Sequence, residues 1–280
     1  MIRILALALL FGLVPSNAFA EAAPTPPAKI FLSSNGSDAN DGSRVSPKRS
    51  LQAGHDAVAA GGNIVILDTA GYGSLSITKS VAVTVPQGVS GFVTTSSGTA
   101  ITINGAAIAV SLQGLIIEGG GTATTGIYIY KAAKVAIEDC LIRSVVTGVN
   151  INTYDRAMVE MHRTTIKDVT RGFNGGAAGS RMDAKLVDVV VTGASELAYF
   201  LNGSGTYVVL TRCEASNSQY GIALQSQATV YVDKCVISNN TYAFYKFGGA
   251  GDIYTLKNNA VAYNTNLINS PSTLTPLDPQ

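Results

Sequence analysis

Two stretches of this 280-residue chain say nearly the same thing: GIYIYKAAKVAIEDCLIRSV, residues 126–145, and GIALQSQATVYVDKCVISNN, residues 221–240. Each opens Gly-Ile-x-aliphatic, passes a polar break, runs Val-x-aliphatic to an acid, and reaches Cys before an aliphatic pair. Between and beyond them the pattern recurs as segments starting at Gly126, Gly148, Gly172, Leu197, Gly221 and Ala243, at intervals of 22, 24, 25, 24 and 22 residues. Each segment continues into a second run: VAIEDCLI, VEMHRTTI, AKLVDVVV, VVLTRCEA, VYVDKCVI, YTLKNNAV. Short alternating runs rich in Val and Ile, broken by Gly, Asn and Ser, are strands. A period of this length holds three short strands and three turns, which is one turn of a solenoid. The expected fold is all-β, a right-handed parallel β-helix of about nine coils.

The rest of the chain fits around that core. Residues 1–20 carry a charged start, an apolar run from Ile4 to Val14 and the ending Ala18-Phe19-Ala20, the pattern of a secretory signal peptide cut after Ala20. Secretion or residence in the periplasm follows. Residues 21–28 form a Pro-rich linker, 29–268 a single β-helix domain, and 269–280 a C-terminal tail. The segment from Ser46 to Gly62 predicts a helix over about 47–60, with Ser46 as N-cap and Pro47 in the first turn, capping the open end of the solenoid. The apolar run at the start is too short for a membrane span, and no later run is longer. With Arg3 removed, 18 basic side chains face 18 acidic ones. That balance excludes a nucleic-acid partner held by a basic face. The oligomeric state is left open.

The Gly-Ile-x-aliphatic and Val-x-Ile-x-[acid or Asn]-[Cys or Asn]-x-Ile pattern resembles the pectate-lyase-like superfamily of right-handed β-helix proteins. The lead-in IFLSSNGSDANDGSRVSPKRSLQAG, Ile30 to Gly54, resembles the start of many secreted bacterial members. The resemblance covers most of Ile30 to Ala262 and implies that polysaccharide lies along the first sheet and its flanking loops. It implies no activity, because the fold hosts lyases, hydrolases, esterases and adhesins. The catalytic signatures of polygalacturonases, pectin methylesterases and the main pectate lyases are not found, so no catalytic residue is carried over.

Strand alternation converts the pattern into surfaces. Ile127, Val149, Phe173, Ala198, Ile222 and Phe244 are expected inside. Tyr128, Asn150, Asn174, Tyr199, Ala223 and Tyr245 are expected outside, with Tyr130, Asn152 and Gln225 beside them. Aromatic faces suit pyranose rings and amides suit hydroxyls, so this strip is the candidate glycan site. In the following turn Arg156 and Arg181 share an offset in adjacent coils, near Lys131, Asp155 and Asp183. Two cations there would suit a lyase acting on uronates, and Asp155 with Asp183 would suit a hydrolase.

Two further rows run through the turns. Asp139, Arg163, Asp188, Arg212, Lys234 and Asn258 nearly alternate in sign, a pattern expected to fix coil register, although Arg212 beside Lys234 breaks it. Cys140, Thr164, Val189, Cys213, Cys235 and Asn259 fill a crowded inward corner, where buried free thiols are expected and a Cys213–Cys235 bridge is within reach. His55 and His162 read as bystanders. No metal site is expected, and the oxygen-rich Gly36–Gly42 loop suggests calcium at most, without the distal Glu of a calcium loop. The overall expectation is a polysaccharide or cell-surface glycan binder without catalysis. The alternatives are a polysaccharide lyase or glycoside hydrolase on an acidic polysaccharide, and an adhesin or structural rod.

Overall fold

The computed structural model describes residues 25–248, 251–269 and 273–277; the expected signal peptide, residues 1–20, lies outside the described residues. Among the described residues, parallel strands stack into two long sheets. The second run of every coil joins an eleven-stranded sheet that begins with Lys29–Leu32 and ends with Thr275–Leu277, in which each strand pairs with the same run of the next coil. We call this the second sheet. The other sheet has fourteen strands and contains both remaining runs of each coil. Its first-run portion, the first sheet below, includes Thr147–Thr153 and Tyr220–Gln225, and its third-run portion includes Leu141–Arg143 and Glu214–Ser216. The result is a parallel β-helix.

The interior follows from the alternation. Ile127, Val149, Phe173, Ile222 and Phe244 stack in one inward row, Val135, Val159, Val208 and Val230 in a second, and Ile142, Ile166, Val191 and Ile237 in a third, all buried. Burying an aliphatic side chain of this size contributes about 1.5–3 kcal/mol, and the repeat supplies such a row from every wall. The glycine that opens four of the six segments has a steric cause. A Cβ on Gly148 would lie 2.5 Å from Ile166 Cγ2 and 2.7 Å from the Gly172 carbonyl oxygen, because the chain bends sharply there from the third run into the first.

One coil departs from the expected register. In the pairing of Thr165–Ala177 with Val190–Asn202, Val169 pairs with Ala194 but Arg171 pairs with Leu197. The second strand therefore holds one extra residue, a β-bulge. Ala198, not Leu197, takes the glycine position, and every later side chain of that strand changes face. Tyr199 is consequently 1% exposed and stacks in the inward row between Phe173 and Ile222. Its hydroxyl donates to the carbonyls of Val189 (2.9 Å) and Glu214 (3.1 Å). Phe200 takes the outward place expected for Tyr199, paired with Asn174 and Ala223.

The N-terminal helix α1 spans Leu51–Ala57, shorter than expected and with Ser50 as its N-cap. Its start is delayed because Lys48 is drawn into a parallel bridge with Leu32, its N–H donating to Phe31 and its carbonyl accepting from Ser33. The Ser50 hydroxyl then accepts from Ala53 N at 3.2 Å, satisfying a first-turn donor. Leu51 and Gly54 are buried, and Gly54 lies against Leu32, Ile64 and Ile30, so the helix covers the open end of the core as expected.

Candidate functional site

The outward row of the first sheet runs Thr102, Tyr128, Asn150, Asn174, Phe200, Ala223 and Tyr245, one residue per coil. Two residues further along each strand, Asn152, Gly176, Asn202 and Gln225 form a second row. Asn174 Nδ2 donates to Asn150 Oδ1 at 2.9 Å, so the two amides form a ladder across coils. Aromatic rings gather at both ends of it. Tyr130 lies 6.2 Å from Tyr128 and meets the exposed Tyr154 edge-on at 6.0 Å. At the far end Tyr245 packs 4.5 Å from Tyr220, 5.1 Å from Tyr242 and 4.7 Å from Phe247, and Phe200 meets Phe247 edge-on at 5.9 Å. Five coil steps of about 4.8 Å separate Tyr128 from Tyr245, roughly 24 Å in all.

Of the expected strip residues, Tyr128, Tyr130, Asn150, Asn152, Asn174, Gln225 and Tyr245 are at least partly exposed. Tyr199 is not among them, and Ala223 is fully covered. Tyr154, Phe200, Tyr220, Tyr242 and Phe247 were missed. Tyr154 and Phe247 fall in turns, where alternation says nothing, and Phe200 was hidden by the bulge.

The turn charges divide between two places. Arg156 and Arg181 do occupy equivalent positions, since their neighbours Ala157 and Met182 are paired. Asp155 lies 3.8 Å from Lys131, whose ammonium also stands 5.8 Å from the Tyr130 ring centre, at the edge of the first-sheet strip. Asp183 belongs instead to the outer face of the second sheet. Both its oxygens accept from Arg181 Nε at 2.9 Å, and Arg156 approaches at 3.6 Å. The two carboxylates are thus engaged by different cations, Asp155 by Lys131 and Asp183 by Arg181.

The remaining candidates are accounted for by local contacts. His162 is half-buried in register with Glu138. His55 is buried, its Nε2 taking the N–H of Thr78 at 3.3 Å. In the Gly36–Gly42 loop the buried Lys48 donates to the carbonyls of Asp38 (2.9 Å) and Asn40 (2.6 Å), so an internal ammonium already gathers the loop oxygens. Asp38 accepts from the N–H groups of Arg49 and Ser50. Among the described residues no three His, Cys, Asp or Glu side chains cluster to hold a metal ion. Cys140, Cys213 and Cys235 are free and buried, and burial pushes the Cys140 thiol up to about 12.

The coil period, the parallel register and the stacked inward rows meet a matching family description, a right-handed β-helix region, over residues 99–266. The chain belongs to the right-handed β-helix family. This β-helix superposes on the solved structure of pectate lyase Pel9A with a TM-score of 0.63 at 14% identity, over 89% of this chain and 79% of that one. Pectin methylesterase PemA from Erwinia chrysanthemi gives 0.56 at 12% identity, over 89% of this chain and 92% of that one. At such identities the likeness concerns the β-helix fold. No curated protein sequence matches the chain. No described helix of this β-helix is long and apolar enough to cross a membrane.

Proposed function

We propose that this protein is an exported glycan-binding β-helix that holds polysaccharide along the outer face of its first sheet without cleaving it. One observation carries the reading: the bonded amides Asn150 and Asn174, with Asn152, Asn202 and Gln225 beside them, lie between two aromatic groups centred on Tyr128 and Tyr245. Ring faces at both ends suit the apolar faces of pyranoses, and the amides between them offer donors and acceptors to hydroxyls. A linear glycan could lie across the whole strip. The two solved neighbours, named for action on pectate and on pectin, support polysaccharide as the ligand class. The lack of catalysis rests on the separate engagement of Asp155 and Asp183 by their own cations.

The test is an array of acidic and neutral polysaccharides probed with the wild-type protein and with a Tyr128→Ala/Tyr245→Ala variant. The expected result is wild-type binding that weakens at least tenfold in the variant, with no shortening of the bound glycan on long incubation. Equal binding by both proteins sinks the first-sheet reading. Release of shortened sugars replaces binding by a lyase or hydrolase activity.

A further inference from the structure

The second sheet carries a separate hollow of about 530 Å³ on its outer face. Its apolar wall is unusual for a solvent-facing sheet: Met158, Tyr207, Val209 and Tyr231 lie in neighbouring coils and are 43%, 37%, 39% and 38% exposed. Tyr231 and Tyr254 are stacked in adjacent coils with ring centres 4.9 Å apart and planes 13° apart. Tyr254 therefore backs Tyr231, which closes one end of the hollow beyond Val209. Tyr207, Val209 and Tyr231 adjoin one another across coils, with Asp183 and Lys185 between them and Met158.

The rim has a definite electrostatic character. Glu160 is taken by Lys134 at 2.9 Å, and Asp183 by Arg181 at 2.8 Å. Lys185 stands beside Glu160 in register yet forms no ion pair among the described residues. The Arg181 guanidinium is fixed twice, by Asp183 and by lying 4.4 Å over the Tyr207 ring. Nε and one terminal nitrogen serve Asp183, which leaves the other terminal nitrogen's donors free. The carboxylates are already matched, and a fixed guanidinium and an unpaired ammonium are left to meet an anion.

We propose that this hollow is a second saccharide site, selective for a sugar that bears an anionic substituent, carboxylate or sulfate. The sugar ring lies against Tyr231 and Val209, and its anion is taken by Arg181 and Lys185. Lys185 and the spare Arg181 donors argue for an anionic ligand, and the half-exposed Tyr231 for a ring with an apolar face. A second copy of the chain is the poorer occupant, because the centres of such interfaces are depleted in charge and here Lys185, Glu160 and Asp183 line the hollow. This site shares no residue with the first-sheet strip and stands or falls apart from it.

Calorimetric titration tests it with three probes: a uronic-acid trisaccharide, the same trisaccharide with its carboxyl groups reduced, and a sulfated disaccharide. Lys185→Gln, Arg181→Gln and Tyr231→Ala variants are compared with Tyr128→Ala/Tyr245→Ala, after a check by circular dichroism that each folds. At least one anionic probe is expected to bind the wild type tenfold or more tighter than the reduced sugar, with affinity falling as salt rises. Lys185→Gln, whose side chain is exposed, should lower that affinity several-fold, and the first-sheet variant should leave it unchanged. The proposal is overturned by equal binding of charged and reduced sugars, by no binding of either anionic probe, or by Lys185→Gln behaving as wild type. Sensitivity confined to the first-sheet variant would also overturn it, as would self-association through this face, seen as a dimer in the ultracentrifuge that Tyr231→Ala abolishes.

Discussion

Arg163 clasps the carboxylate of Asp139 in the preceding coil at two points, Nε to Oδ1 at 2.7 Å and Nη2 to Oδ2 at 3.2 Å. Arg212 repeats the contact with Asp188 at 2.7 and 2.8 Å. All four residues sit in the same turn with positive φ, between 45° and 55°. That backbone conformation costs a residue with a Cβ something relative to glycine. Each pair ties two adjacent coils together, Asp139 to Arg163 and Asp188 to Arg212. At Lys234 the alternation breaks: Arg212 turns back to Asp188, and the Lys234 backbone N–H donates to Asn258 Oδ1.

The Arg163 hydrogen bonds hold Asp139 below the usual carboxylate range, and Arg212 does the same for Asp188. A lowered folded-state value means that the stabilisation is present above the ordinary aspartate value of about 4. It is lost as pH falls through the lower folded value. Arg163→Ala and Arg212→Ala should therefore lower the melting temperature slightly at pH 7, and the difference from wild type should shrink in acid and in high salt. A difference that is the same at pH 7 and pH 2 would refute the ladder's role.

Tyr199 is expected to be a stability residue and not a ligand contact. Tyr199→Phe leaves the Val189 and Glu214 carbonyls without their buried donor, costing about 1–3 kcal/mol. Tyr199→Ala adds a cavity and should cost about 3–5 kcal/mol. Denaturant unfolding measures both. Loss of glycan affinity in Tyr199→Phe without loss of stability would contradict the inward register.

Lys48 should make the N-terminal loop indifferent to calcium. Its ammonium holds the Asp38 and Asn40 carbonyls, so millimolar calcium or a chelator should leave the melting temperature of the wild type unchanged. Lys48→Met should destabilise the capped end by about 1–3 kcal/mol. A calcium-dependent rise in wild-type melting temperature would show that the loop takes the ion.

The cysteines should be silent until the protein unfolds. Cys140, Cys213 and Cys235 are at most 3% exposed, and each Sγ lies near a carbonyl oxygen. A thiol reagent at pH 8 is expected to find none of them in the native protein and three in denaturant. One thiol in denaturant, with a mass two daltons low, would mean that Cys213 and Cys235 are bridged.

The capping helix, the inward aliphatic rows and the Asp–Arg turn were legible because each depends on composition or on contacts at one coil's separation. The start of α1 was misread because Lys48 pairs with Leu32, a partner distant in sequence. Asp155 and Asp183 sit near the same turn in sequence, but Asp155 precedes the strand Ala157–His162 whereas Asp183 lies inside Met182–Val187.

By itself, then, the sequence determined the solenoid, its period and the chemistry of its turns, since a repeat places each residue over its counterpart one coil away. Tertiary structure decided which residues share a face. A single extra residue between Ala194 and Leu197 puts Tyr199 in the core and Phe200 outside, and the bend of each coil parts the first-sheet strip from the hollow of Arg181, Tyr207 and Tyr231. Strand side chains alternate with a period of two, so one inserted residue reverses every face beyond it, and local spacing carries no mark of the reversal.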